Sequence, residues 1–224
     1  AVCQHWTRPL AWLLADVVRA RRKLMKDNLR HAFPGLTDRQ RKRLIRRMWQ
    51  HLLLMGCEIA HLPRKVHDTN WREHIRLANI APQVQALLSR RPCVILSGHF
   101  GNFEAGGYMI GLFGFRTHTI ARPLDNRFLN RWLNGFREAK GQYMLPKRDV
   151  ARRIAVLLDE GENLVLLGDQ FGGNSGCWID FFGRPASYHK AIALFTLTSG
   201  APLIISYARR VEDQALQLEL DVEG

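Results

Sequence analysis

His99 and Glu104 are the pair in this sequence best suited to moving a proton. They stand in Ser97-Gly98-His99-Phe100-Gly101-Asn102-Phe103-Glu104, directly after the apolar run Cys93-Val94-Ile95-Leu96. A neutral imidazole accepts a proton at one ring nitrogen while a carboxylate holds the other and fixes the tautomer. Residues five apart do not share a helix face. Cooperation therefore requires His99 on a turn and Glu104 in the first turn of the following helix. Gly98 and Gly101 suit such a turn. Asn102 is placed to cap the helix and would set Glu104 near its positive end. Backbone N–H groups at the helix start would help stabilise a developing oxyanion. The same residues also suit a core histidine beside a surface glutamate, so the pair alone decides nothing.

Three apolar runs would position such chemistry. Cys93–Leu96 reads as a buried strand after Pro92, Thr117–Ala121 as an alternating strand and Asn163–Leu167 as a second buried strand. His99, Arg122 and Asp169 with Gln170 follow their carboxyl ends, where open α/β sheets place ligand sites. If the strands are parallel neighbours, these side chains converge on one rim. Helices are expected over 80–88, from Asn102 onward, over 126–140 behind Asp125, after Asp149 and over 188–199 behind Ser187. Residues 63–74 read as a connector, 171–176 as a lid or substrate loop, and 181–185 as an apolar turn. Leu203–Arg209 and Leu216–Val222 read as a hairpin at the sheet edge. The expected fold is α/β: a mixed, largely parallel sheet flanked by helices, preceded by a basic N-terminal helical arm. The division falls at 1–62 for the arm and 63–224 for the core, within one domain.

The arm carries most of the charge. The 224-residue chain has a formal net charge of +13, and twelve Lys or Arg against two Asp lie between Arg19 and Arg47. Such a face suits a polyanion: anionic membrane, acidic carrier protein, phosphorylated lipid or nucleic acid. It equally suits a solvated helix surface. Trp6, Leu10, Trp12, Leu13, Leu14, Val17 and Val18 between Arg8 and Arg19 resemble an interfacial helix. Thr37-Asp38-Arg39-Gln40 is a capping box. No apolar run spans a bilayer. The four cysteines have neither metal nor redox spacing, and Cys57 and Cys93 sit in apolar runs, which fits buried free thiols and a reducing compartment. No metal site is expected. The Gly172-Gly173 loop is not followed by Gly-Lys-Ser/Thr and is no P-loop.

His99-Phe100-Gly101-Asn102-Phe103-Glu104 resembles the His-x4-Asp/Glu motif of glycerolipid-type acyltransferases, and more closely that of the lipid A biosynthesis late acyltransferase family. Arg21-Arg22-Lys23, Asn28-Leu29 and Ala32-Phe33-Pro34 resemble the family's upstream signature. Arg122-Pro123-Leu124-Asp125-Asn126, Pro146-Lys147-Arg148, Gly168-Asp169-Gln170 and Phe181-Phe182-Gly183-Arg184-Pro185-Ala186 resemble its downstream blocks, in order. A Pro-Glu-Gly-Thr-like block, usual in glycerol-phosphate acyltransferases, is absent. Phe103 stands where the family usually has Trp, and Tyr188-His189 where small or hydroxyl residues are usual.

The resemblance implies acyl transfer from a thioester of acyl carrier protein or coenzyme A to a hydroxyl of a lipid A precursor-like lipid. His99 is then the base and Glu104 its orienting partner. Gly101, Asn102, Arg122, Lys147, Asp169 and Gln170 are the substrate-binding set. No cofactor is needed beyond the thioester substrate. Donor, lipid acceptor, anionic membrane and acyl carrier protein are the implied partners, and nucleic acid is not among them. The cytoplasmic face of the bacterial inner membrane is the implied location, with this chain part of a longer, membrane-anchored one. Other acceptors keep the same base: glycerol phosphate, a glycosylated phospholipid or an ornithine-type lipid. A rival of another class is a non-catalytic basic protein that binds membrane or nucleic acid.

Overall fold

The computed structural model describes residues 2–89, 91–146 and 149–223. In chain order the elements are α1 (Val2–Trp12), a π-helical turn (Leu13–Val17), α2 (Arg22–Ala32), α3 (Asp38–Lys65), a short 3-10 turn, β1 (Ile75–Ala78), α4 (Ala81–Leu88), β2 (Val94–Ser97) and α5 (Phe103–Leu112). There follow β3 (Thr117–Ile120), α6 (Arg127–Glu138), β4 (Gln142–Leu145), α7 (Val150–Asp159), β5 (Leu164–Leu167), β6 (Cys177–Phe181), β7 (Arg184–Tyr188), α8 (Lys190–Ser199), β8 (Leu203–Arg210) and β9 (Leu218–Glu223). The chain forms two compact units. One comprises the residues up to His61 together with Ile179–Ala186; the other comprises Leu62–Trp178 and the residues from Ser187 on.

The first unit is the helical arm. Its capping box forms as expected: the Thr37 N–H donates to Gln40 Oε1 at 2.7 Å and the Gln40 N–H to Thr37 Oγ1 at 3.3 Å. Asp16, in the π-helical turn, bonds Arg46 and lies 3.1 Å from Lys42 Nζ, both on α3. The Arg46 hydrogen bond lowers its pKa, burial opposes, and Lys42 reinforces the lowering. Phe33 meets Phe182 of the β6–β7 turn at a ring separation of 5.6 Å. Residues 177–188 thus form a two-stranded ribbon, where the sequence suggested only a loop and turn.

The second unit holds a seven-stranded sheet of order β1-β9-β8-β2-β5-β3-β4. β8, β2, β5, β3 and β4 run parallel, β9 is antiparallel to β8, and β1 is parallel to β9. This is the mixed, largely parallel α/β sheet expected. The central strands are apolar because both faces are covered. Val94, Leu164 and Leu166 pack with Ile154 and Leu158 of α7 and with Ala201. Ile95 and Val165 line the opposite face with Gly106, Gly107 and Ile110 of α5. On α5, Tyr108 stacks on Phe136 of α6 at 5.2 Å and donates to the Val66 carbonyl at 3.1 Å.

Several local expectations are corrected. The connector starts later than Pro63, because α3 continues to Lys65. A proline near a helix end costs one ladder bond, and Leu62 and Val66, both fully buried, anchor that last turn. The β8–β9 hairpin is not the sheet edge, since β1 pairs outside β9. α6 is capped by Asn126, whose Oδ1 accepts the N–H groups of Phe128 and Leu129 at 3.0 Å each. Asp125 instead lies 3.3 Å from Arg122. Asp149 occupies the cap position of α7 with left-handed backbone and makes no side-chain capping bond. Ser187 belongs to β7 and donates to the Gly173 carbonyl at 2.5 Å, so α8 begins only at Lys190. Among the described residues no helix is long and apolar enough to cross a membrane.

Candidate active site

The turn after β2 is clamped onto β8. Gly101 has φ +60, and a Cβ built there would lie 1.9 Å from the Ala208 carbonyl oxygen. Only glycine satisfies both the angle and the approach. The next N–H, that of Asn102, donates to the same oxygen at 2.8 Å. Asn102 is fully buried and its Oδ1 accepts the Ala105 N–H at 3.1 Å, the cap expected for α5. Two of the N–H groups at the helix start are therefore already engaged. Gly101 and Asn102, expected to bind substrate, are placed where they hold the turn.

His99 projects from this turn and meets the end of β5. Its Nδ1 lies 2.7 Å from Asp169 Oδ1, and its backbone N–H donates to Asp169 Oδ2 at 2.6 Å. Both carboxylate oxygens thus hold one residue, by ring and by main chain. Gly98 makes room: a Cβ there would come within 3.1 Å of Asp169 Oδ2. Gln170 Nε2 stands 3.2 Å from His99 Nε2. An amide nitrogen only donates and a carboxylate only accepts. The ring is therefore the Nδ1–H tautomer, with its lone pair on Nε2. The side chains of His99 and Asp169 remain 37% and 44% exposed, so substrate can reach them. The Phe103 ring packs edge-on against the imidazole at 4.7 Å.

Glu104 does not orient His99, contrary to the expectation from spacing. Its Oε2 accepts from Arg137 Nε at 2.8 Å and its Oε1 from the Arg137 terminal nitrogen at 2.5 Å. The pair is buried, with side chains 7% and 13% exposed. Arg137 also reaches Asn134 Oδ1 at 3.4 Å and Met144 Sδ at 3.3 Å. The reason is helical geometry: Glu104 lies on the first turn of α5, on the side packed against α6, and a carboxylate there requires a cation. Arg137 was missed in the sequence. The signal that would have found it is a glutamate inside the otherwise apolar Phe103–Leu112 segment, all of whose residues from Glu104 to Ile110 are buried.

Arg122 follows β3 on the same rim but is three-quarters exposed, and it pairs with Asp125. Lys147 lies outside the described residues. Among the described residues no group of three or more His, Cys, Asp or Glu is arranged to hold a metal ion. Beside the turn, a cavity of about 470 Å³ is lined by Leu96, Gly98, Phe100, Ile205, Tyr207 and Arg209 among others. Phe100 and Tyr207 of its lining meet edge to face at 5.5 Å.

A family model described as bacterial lipid A biosynthesis acyltransferase matches residues 1–221. The chain belongs to that family. No curated protein matches it. As a lipid A acyltransferase-type chain it is an enzyme of the acyltransferase class, and the resemblance drawn from its ordered motifs holds over nearly its whole length. Of the expected site residues, the fold joins His99, Asp169 and Gln170 and pairs Glu104 with Arg137.

Proposed function

We propose that this acyltransferase moves a fatty acyl group from a thioester of acyl carrier protein or coenzyme A to a hydroxyl of a lipid A precursor-like membrane lipid. The observation that carries the mechanism is the His99 ring, held at Nδ1 by Asp169 with the Nε2 lone pair turned toward accessible space. An acceptor hydroxyl takes the place of the Gln170 amide at Nε2. As its oxygen attacks the thioester carbonyl, its proton passes to Nε2. The tetrahedral intermediate collapses, the carbon–sulfur bond breaks, and the imidazolium returns the proton to the thiolate. Asp169 stabilises that imidazolium. General-base help of this kind supplies about 10²–10⁴-fold in rate.

The cavity beside Gly98 and Phe100 is the place we assign to the acyl chain; its size falls in the usual range for small-molecule sites. Arg122, three-quarters exposed beside Asp125, is within the rim from which it would exchange that partner for a phosphate of donor or acceptor, a pairing that suits a guanidinium. No cofactor beyond the thioester enters this scheme. The basic arm suits an anionic membrane surface and an acidic acyl carrier protein, consistent with work at the inner membrane.

The test is transfer from a radiolabelled acyl thioester to a bacterial lipid extract, with product mass identifying the acceptor. Transfer by the parent, reduced at least roughly 10²-fold in His99→Ala, supports the reading. Unchanged transfer in His99→Ala removes His99 as base. Product on glycerol phosphate or an ornithine lipid would replace the proposed acceptor.

A further inference from the structure

Attack of a hydroxyl on a thioester carbonyl puts negative charge on the carbonyl oxygen, and a positioned N–H donor is the usual means of stabilising it. The amino end of α5 would be the nearest main-chain source. Three N–H groups around His99 are nevertheless already spent. That of His99 donates to Asp169 Oδ2 at 2.6 Å, that of Asn102 to the Ala208 carbonyl at 2.8 Å, and that of Ala105 to Asn102 Oδ1 at 3.1 Å. These bonds build the turn and hold the base, so the chemistry gains from a donor on a side chain.

Gln170 is built for that part. Its backbone is pinned on both sides: the Gly168 N–H donates to the Ser97 carbonyl at 2.9 Å and the Gly172 N–H to the Ser187 carbonyl at 2.8 Å. The second contact is so close that a Cβ on Gly172 would collide with the Tyr188 backbone. Between the pins, Asp169 holds His99 with both oxygens. The Gln170 side chain is exposed, so its amide turns while its backbone stays. Gln170 Nε2 stands 3.2 Å from His99 Nε2, in the place that the attacking hydroxyl must occupy. The carbonyl oxygen lies one atom beyond the carbon under attack, so an amide that reaches the base nitrogen reaches the oxyanion by a small rotation. Proton transfer also changes what the base can offer. It converts Nε2 from acceptor to donor, and an amide nitrogen only donates. The amide therefore loses its partner on the ring as the carbonyl oxygen becomes a better one.

We infer that Gln170 is a catalytic residue whose side-chain amide donates a hydrogen bond to the oxyanion of the tetrahedral intermediate. This role rests on the acyl-transfer reading above. The hydroxyl oxygen bonds to the carbonyl carbon, its proton passes to Nε2, and the carbonyl π pair moves to the oxygen that accepts the amide N–H. On collapse the pair restores the carbonyl, the carbon–sulfur bond breaks, and sulfur takes the proton from Nε2. The amide keeps both its hydrogens throughout and forms no covalent bond.

The test uses Gln170→Leu, which has no donor, and Gln170→Glu, which keeps the shape and loses the donor when ionised. The full chain and both variants are assayed for transfer from the acyl thioester, and their binding of two probes with the same acyl chain is titrated. One probe is a trifluoromethyl ketone, whose hydrate carries a tetrahedral oxygen; the other is an unreactive thioether. The expected result is a fall in kcat of about 10²–10³-fold in both variants, with KM and the thermal midpoint close to the parent's. The ketone should lose roughly tenfold or more in affinity, while the thioether binds as in the parent. Equal losses on both probes would show a generally distorted site and overturn the inference. A raised KM at parent kcat would make Gln170 a ground-state contact only. Parent-like kinetics would return the oxyanion to the main chain, and faster transfer would make Gln170 a mere cap over the base. Transfer that is absent in the parent, or that persists in His99→Ala, removes the acyl-transfer scheme and this inference with it. Transfer that needs His99 but is indifferent to Gln170 removes this inference alone.

Discussion

The two carboxylates of the catalytic unit work in opposite surroundings. Asp169 sits at the open rim of the sheet, 44% exposed, and spends both oxygens on the ring and backbone of His99. Glu104 sits behind the rim with a side chain 7% exposed and spends both oxygens on Arg137. The first arrangement leaves an imidazole nitrogen available to substrate. The second leaves nothing available, because both partners are enclosed between α5 and α6. Chain distance runs against this division: Glu104 is five residues from His99 and Asp169 is seventy. The fold thus pairs the near carboxylate with Arg137 and the distant one with His99, and the proposed mechanism gives the chemical role to the distant one. A motif spacing can mark a site without naming its working pair.

The largest effect should come from breaking the enclosed pair. Glu104→Ala or Arg137→Ala leaves an unpaired buried charge and should destabilise the catalytic unit by about 3–5 kcal/mol. A joint exchange of both for Leu or Met should recover much of that loss, measured by chemical denaturation. Stability unchanged in the single variants would mean that the pair is not what joins α5 to α6.

Gly101→Ala tests the clamp between the two environments. The new Cβ would meet the Ala208 carbonyl at 1.9 Å in a left-handed backbone, so the turn must shift. A loss of about 1–3 kcal/mol is expected, with a fall in transfer that exceeds what the unfolded fraction explains. Full activity at normal stability would show that the turn tolerates displacement.

A smaller effect concerns the arm, where Asp16 joins its turn to α3. The Arg46 bond lowers the Asp16 pKa from its ordinary 3.8, so the folded pKa lies below the unfolded one. This stabilisation is present above pH 3.8 and is lost as pH falls through the folded value. Since Lys42 and Arg46 are 47% and 41% exposed, the contribution is at most about 1 kcal/mol. Acid titration of arm helicity in the parent, compared with Asp16→Asn, should show the lowered step only in the parent.

Smallest of all is a chemical contrast along β2. Cys93 directly precedes that strand and is fully buried, and burial pushes its thiol up to about 11. Alkylation of the folded chain at neutral pH should modify exposed Cys177 and spare Cys93. Rapid labelling of Cys93 would show that the strand opens far more readily than its packing implies.

Much of the fold was legible because long apolar runs have few alternatives. Val94–Ser97, Leu164–Leu167, the capping box at Thr37 and the N-cap at Asn102 stand close to where their chemistry placed them. β1 and β4 were not legible, being four residues each with mixed burial that their neighbours in the sheet supply. The β6–β7 ribbon was equally silent, its β6 strand being exposed throughout. Within the site, His99 was marked by its position after β2, and Asp169 and Gln170 by theirs after β5. Their pairing was not marked, because it depends on β2 and β5 being neighbours. Arg137 was hidden for the same reason. Its partner lies across a helix interface, and no local pattern encodes that contact.

The central claim is that His99 works as a base held by Asp169, with Glu104 in support of the fold. The direct measurement is single-turnover acyl transfer by Asp169→Asn and Glu104→Gln, each assayed well below its own melting temperature. The account predicts a loss of roughly 10²-fold or more in Asp169→Asn at near-parent stability, and a much smaller rate loss in the folded fraction of Glu104→Gln. Parent-like transfer in Asp169→Asn, with folded Glu104→Gln inactive, would contradict it and restore the neighbouring glutamate as the partner of His99.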